Sequence, residues 1–279
     1  MSGPSRPQHR GAGTVRDMTA PSRAASKAEN NPAVRILARV GLATIGLLHI
    51  LIGAIALAIA FGGGGGGSAD QSGALQALVA VPGGLFAIWV CIVGLIVLAL
   101  WQILVAVRAR KTGTRLVELG KCVVYAALAV IAISIALGGS HDASSSEKTM
   151  SARLLAQPGG VFVLALIGLA IVAGGIVFLR NGITHRFERD LRLPPNRLAG
   201  VTTTLGRVGY IAKGIALILV GGLVVTAAVT YDPEKAGGLD GSLKALVALP
   251  FGPVLLALIA LGLIAYGVFW LVRSVAARL

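Results

Sequence analysis

One motif occurs three times in this chain and constrains its fold more than any other feature. Leu78-Val79-Ala80-Val81-Pro82-Gly83-Gly84 returns as Leu154-Leu155-Ala156-Gln157-Pro158-Gly159-Gly160, and again as Leu246-Val247-Ala248-Leu249-Pro250-Phe251-Gly252. Arg39, Arg115 and Arg207 each stand 43 residues before the proline of their copy, and the copies superpose between arginine and proline without a gap. A spacing held three times marks an array of one supersecondary unit. The copies divide the chain into a tail at 1–33 and units at 34–112, 113–198 and 199–279.

Each unit contains two long apolar stretches, together at 37–61, 84–107, 116–137, 159–179, 208–230 and 250–272. About 20 residues of helix cross a ~30 Å hydrocarbon layer. Backbone groups in lipid must be satisfied within the segment, so these stretches are helices. Strand-like alternation is absent, which removes a β-barrel. Charged residues make up only 13% of the chain, against about 25% in a typical soluble domain. The reading is an all-α polytopic membrane protein of six transmembrane helices. Three units of the same orientation are most simply arranged around a pseudo-threefold axis along the membrane normal.

The net charge of +14 raises nucleic acid as a partner, but its distribution argues for topology instead. Nineteen Lys and Arg fall in the tail, the 108–115 and 180–207 connections and the C-terminus; the alternate loops hold only Lys148, Arg153, Lys235 and Lys244. That bias places both termini in the cytoplasm. It also makes anionic headgroups the partners of the basic loops, and no nucleic-acid partner is expected. Residues 1–33, rich in Ser, Pro, Arg and Ala, bury too little to offset chain entropy and are read as disordered. Ala58-Ile59-Ala60 resembles a signal-peptidase site, but the apolar run before it is too long and too far from the start, so it is read as an uncleaved span.

Within a unit the first span ends in a polar loop, such as Gly62–Gly67, read as a flexible tether. Leu75-Gln76-Ala77-Leu78, Ser151-Ala152-Arg153-Leu154 and Leu243-Lys244-Ala245-Leu246 follow. Leucines three apart share a helix face, so these segments read as short helices on the outer membrane surface. Pro82, Pro158 and Pro250 then suit the first turn of the second span. They are read as structural hinges, with gating or ligand contact as the alternative. Ala54/Ala58, Ala132/Ala136 and Ala170/Gly174 are candidate close-packing pairs. Gly94, Ala170 and Gly262 align across the copies, as do Ala99, Gly175 and Gly267.

Buried ionisable groups are the first place to look for function in a membrane span. His49 lies near mid-depth and aligns with Tyr125 and Leu217; Lys121 and Lys213 align with Ile45. His49, Lys121, Tyr125 and Lys213 are therefore the candidate intramembrane polar site. The bland alternatives are cross-helix packing for His49 and snorkelling to the interface for the lysines, Lys121 with Glu118 as partner. No carboxylate lies deep in a span, and no metal-ligand spacing, nucleophile elbow, phosphate loop or haem pair is present. No catalytic residue, metal or cofactor is expected, and the chain is not read as an enzyme.

The order of basic residue, apolar helix, polar loop, Leu-x-Ala-x-Pro-x-Gly and second apolar helix resembles the bacterial, largely actinobacterial, family grouped as domain of unknown function 1206. Arg207-Val208-Gly209-Tyr210 and Ala248-Leu249-Pro250-Phe251-Gly252 are the closest part. Gly83 and Gly159 depart from it where the third copy has Phe251. The resemblance implies a six-span inner-membrane protein and supplies no catalytic residues. Two functions stay open: a structural or interaction protein of the membrane, with a membrane-protein partner or a second copy; and a passive pore or small-solute transporter along the axis. A wet central cavity lined by His49, Thr44, Gln102 or Ser134 would favour the second.

Overall fold

The computed structural model describes residues 32–63, 67–109, 111–185, 187 and 197–276. Unit one comprises α1 (Pro32–Ala60), α2 (Gln71–Val79) and α3 (Gly84–Arg108). Unit two comprises α4 (Thr112–Ala136), α5 (Ala143–Leu155) and α6 (Gly160–Ile183). Unit three comprises α7 (Arg197–Thr230), α8 (Gly238–Val247) and α9 (Gly252–Ala276), with a 3-10 turn at Pro233–Lys235. Six of these helices, α1, α3, α4, α6, α7 and α9, are long and apolar enough to cross a membrane. The protein is thus an all-α, multi-pass membrane protein. Of the tail expected to be disordered, residues 1–31 lie outside the described residues; Pro32 opens α1, where a first-turn proline costs no hydrogen bond.

The first spans of units one and two stop alike. Gly62 and Gly138 adopt positive φ, and the next N–H reaches back five residues, Gly63 to Ala58 O at 2.8 Å and Gly139 to Ser134 O at 2.9 Å. The expected tether therefore begins with a helix stop built on its first two glycines, residues 64–66 lying outside the described residues. In unit three Tyr231 takes the same left-handed role at φ 54, with Asp232 N–H on Ala227 O at 3.0 Å.

The proline segment differs in one respect from the sequence reading. The prolines do not lie in the first helical turn; the second spans begin two residues later, at Gly84, Gly160 and Gly252. Val81 O accepts from Gly84 N–H at 2.9 Å, Gln157 O from Gly160 at 2.9 Å and Leu249 O from Gly252 at 2.8 Å. Proline with its preset φ is thus the second residue of a tight turn, and the third must have positive φ. Gly83 (φ 78) and Gly159 (φ 77) meet that demand freely, and Phe251 meets it at φ 60. The last glycine answers a different need. A Cβ at Gly84, Gly160 or Gly252 would collide with the carbonyl oxygen of Leu78, Leu154 or Leu246 at the end of the short helix.

The second span of each unit packs along the first span of the next: α3 on α4, α6 on α7 and α9 on α1. This cyclic relation is the pseudo-threefold arrangement. Between lipid-bathed helices hydrophobicity drives little association, so close backbone approach carries the contact. A Cβ at Gly175 would lie 2.8 Å from Gly214 O, and one at Gly46 would lie 2.7 Å from Gly267 O. Gly168 against Gly221 and Gly53 against Ala260 repeat the contact seven residues on. The expected pairs Ala54/Ala58 and Ala170/Gly174 are not these contacts, for Ala54, Ala58 and Ala170 are exposed and nothing lies within 4 Å of a Cβ at Gly174. Seven residues make two turns, so that spacing keeps small residues on one face along a long shallow crossing.

At the end of the bundle that carries the short helices, the three units are tied into a ring by polar contacts. Ala69 N–H donates to Asp240 Oδ1 at 2.8 Å, joining units one and three. Gln76 Nε2 donates to His141 O at 2.6 Å, joining one and two. Ser144 Oγ donates to Gly237 O at 3.0 Å and Lys148 pairs with Glu234 at 2.8 Å, joining two and three. Below this cap, side chains of all three first spans, among them Ile52 and Ala56 of α1, Ala129 and Ala132 of α4 and Ala216 of α7, share one buried apolar cluster.

The ring of spans has one unpacked seam. α1 packs on α3 and α7 on α9 within their own units, but α4 and α6 make no comparable interface among the described residues. Unit two is split, with α4 joined to unit one and α6 to unit three.

Candidate functional site

A cavity of about 540 Å³ lies beneath α5, on the side of the bundle where that seam falls. Its walls are Leu164, Ile167 and Ile171 of α6, Ala216, Leu217, Val220 and Val224 of α7, and Ile52 of α1. The volume falls in the range of small-ligand sites, and an apolar wall with few polar groups is their usual composition. α4 contributes nothing to the wall. The cavity therefore has no wall from the α4 side of that seam.

One difference between the units falls at this cavity. Seven positions before their prolines, units one and three place Leu75 and Leu243, both fully buried, while unit two places Ser151. Ser151 is also buried and lines the cavity. Where leucine fills the wedge between two spans in units one and three, the smaller serine leaves part of the cavity's upper wall open. The signal was in the aligned repeats but carried no chemistry, so the sequence reading passed over it.

The floor of the cavity brings together two of the four candidate residues. Lys213 Nζ lies 2.9 Å from His49 Nε2, and His49 Nδ1 lies 2.8 Å from Ile45 O. A carbonyl only accepts, so Nδ1 carries the ring proton and Nε2 accepts from the lysine. Lys213 Nζ also sits 4.6 Å from the Tyr266 ring centroid and 5.3 Å from that of Phe178. Such faces attract a cation electrostatically. Lys213 thus does not snorkel to the interface, because His49 and two rings receive its head inside the bundle. His49 is itself edge-on to Tyr266 at 4.8 Å.

The other two candidates go elsewhere. Lys121 is exposed and pairs with Glu118 at 2.8 Å, as the snorkelling alternative had it. Tyr125 bonds Gln102 of α3 across the α3–α4 interface. Thr44 bonds its own helix at Val40 O, and Ser134 is exposed, so the four polar groups that would have lined an axial pore are dispersed.

Beyond the floor, away from the short helices, the bundle is plugged by Phe187, Tyr210, Tyr266 and Phe269, all buried. Phe187 stacks on Tyr210 at 5.1 Å, and Tyr210 meets Tyr266 edge-on at 5.3 Å. Sequence reasoning missed this plug because its members come from two helices and the connection at Phe187 and share no motif. The only hint was that aromatic residues gather in unit three.

At the opposite end, the mouth is ringed by Gln71, Glu147 and Leu239, each eleven residues before its proline. Glu147 is exposed on its outer side, while its carboxylate crowds Gly238, where φ is 58 and a Cβ would overlap it. Loss of water there, then the like charges of Asp70, Asp142 and Asp240, push its pKa up to about 7. Asp142 is held low instead, chiefly by the Ser145 hydroxyl and by the N–H groups it caps at the start of α5.

The family described as Domain of Unknown Function (DUF1206) matches residues 40–109, 119–185 and 208–277, one segment in each unit. A Bacillus subtilis (strain 168) protein described as "Uncharacterized protein YxxB" is 31% identical over 259 residues, spanning 89% of this chain and 93% of its own. No solved structure matches the chain. With a matched segment in every unit and a relative alike over nearly the whole of both chains, the chain belongs to the DUF1206 family.

Proposed function

We propose that this protein is a non-enzymatic binding protein of the bacterial plasma membrane, which takes a single-chain amphiphile from the bilayer into the cavity beneath α5. The observation that carries this reading is an apolar cavity with no wall from α4, on the side of the unpacked seam between α4 and α6. It narrows the expectation of a structural or interaction protein to one defined site. Binding is favoured over passive conduction because Ile52, Ala56, Ala132 and Ala216 fill the bundle centre and the aromatic plug lies below the floor. The charge asymmetry of the loops supports cytoplasmic termini, and cysteines placed at Ser144 and Lys111 should then label from outside and inside respectively.

The test is to supply the missing side chain. Ser151→Leu copies units one and three at the same position and should occupy the upper cavity; Ile171→Trp should occupy its lower half. In lipid nanodiscs, each should weaken binding of dodecanol by about tenfold or more, or about 1.4 kcal/mol, while the thermal midpoint holds or rises. Unchanged binding in both variants overturns the reading.

A further inference from the structure

We infer that the cavity selects a carboxylate head, seated on Lys213 at the floor with the chain running out toward α5. This rests on the binding reading above and names the ligand class of that site. Lys213 is the only cation among the lining residues of the cavity, and the other charged lining residue, Glu147, is at the far mouth. The mouth lies at the level of Val224, which clusters with Ala236. Eleven residues of α7 separate Lys213 from Val224, about 16 Å at 1.5 Å per residue. Between them the wall of α7 and α6 is Ala, Leu, Ile and Val, so a head at the floor meets the lysine and a chain above it meets only apolar surface.

The lysine has capacity for such a partner. An ammonium carries three N–H donors. One points to His49 Nε2, and the Tyr266 and Phe178 faces supply attraction without taking a full countercharge. Lys121, Lys148, Lys235 and Lys244 each have a carboxylate within 4.0 Å, and among the described residues Lys213 has none. A cation held away from water without a countercharge is costly, and a ligand anion relieves that cost. One lysine and no arginine neutralise a single negative charge. A carboxylate matches that count, whereas a phosphate monoester leaves excess negative charge among leucines and isoleucines.

The experiment compares heads on one chain, using the native protein in nanodiscs and competition against a fluorescent acyl probe. Dodecanoate should bind at least about tenfold tighter than dodecanol, with dodecylamine and dodecyl phosphate weaker than dodecanoate. Lys213→Met should abolish the preference for dodecanoate over dodecanol; Lys213→Arg should keep it. The comparison on the native protein stands even where a variant fails to fold. Equal binding of dodecanoate and dodecanol to the native protein overturns the carboxylate inference and leaves the cavity reading intact. Tightest binding of dodecyl phosphate likewise overturns it in favour of a phosphate head. Binding of neither dodecanoate nor dodecanol overturns both.

Discussion

In units one and three the short outer helix wedges between both spans of its own unit, with Leu75 and Leu243 fully buried, whereas α5 of unit two packs on α6 and not along α4. The same architecture is built three times, yet the middle copy places Ser151 at the wedge position and a polar helix, Ala143–Leu155, around it. The difference teaches that a repeat can hold its backbone plan through its turn and its inter-unit glycines while one side chain decides whether the unit closes. The cap stays continuous because its ties are polar and run between units. The seam opens below it because nothing large and apolar fills the space within unit two.

The largest effect should come from making unit three resemble unit two. Leu243→Ser removes a fully buried leucine and buries a hydroxyl, a cost of about 3–4 kcal/mol, while Leu154→Ser at a half-buried site in unit two should cost far less. Reversible unfolding in mixed detergent measures both, and equal costs would break the distinction between the wedges. Next, α6 belongs to unit three through Gly175, so Gly175→Leu should destabilise by about 2–3 kcal/mol. Its neighbour Gly174 faces open space, and Gly174→Leu should stay within about 0.5 kcal/mol of the native protein. Similar losses at both would place the α6 interface elsewhere.

A smaller gain is expected where unit three departs from the other two. Phe251 holds φ 60 where Gly83 and Gly159 sit freely, so Phe251→Gly should raise stability by about 1 kcal/mol through relief of the left-handed strain. The ring is 81% exposed and removing it forfeits no core packing. A loss on substitution would show instead that the ring anchors the outer rim in the interface.

The smallest effect concerns Glu147, which is exposed in part and screened. Its pKa in the folded protein, about 7, lies above the ordinary 4.5, so its protonated form is the one the fold favours. Its contribution to stability is full below about pH 4.5 and fades as pH rises through 7. Glu147→Gln should flatten the thermal midpoint between pH 5 and pH 8, chiefly by raising it at pH 8. Identical pH profiles for native protein and variant would remove Gly238 and the acidic neighbours as the cause.

How much was legible follows from where each constraint acts. Six spans and three units could be read directly, because bilayer thickness and the repeated spacing act on contiguous residues; of the short helices only the final turn was read, since α2, α5 and α8 begin four, eight and five residues before the segments named. The Pro-Gly-Gly turn was only half legible: the sequence reading set Pro82 inside the helix, two residues early, whereas Pro82 presets one turn dihedral, Gly83 supplies the other and Gly84 makes room for a carbonyl six residues away. Aligned Gly175 and Gly267 likewise marked a shared interface before their partners Gly214 and Gly46 were known. The polar site was half legible. His49 and Lys213 were visible as buried ionisable groups, but they sit at different aligned positions, ten and six residues past their arginines. Nothing local says that helices of units one and three turn those faces together, or that Lys121 and Tyr125 face away from them. The tertiary structure alone decided the pairing, the aromatic plug from Phe178 to Phe269 and the seam beside α5, because helix rotation and the fit of side chains across units depend on partners far apart in the chain.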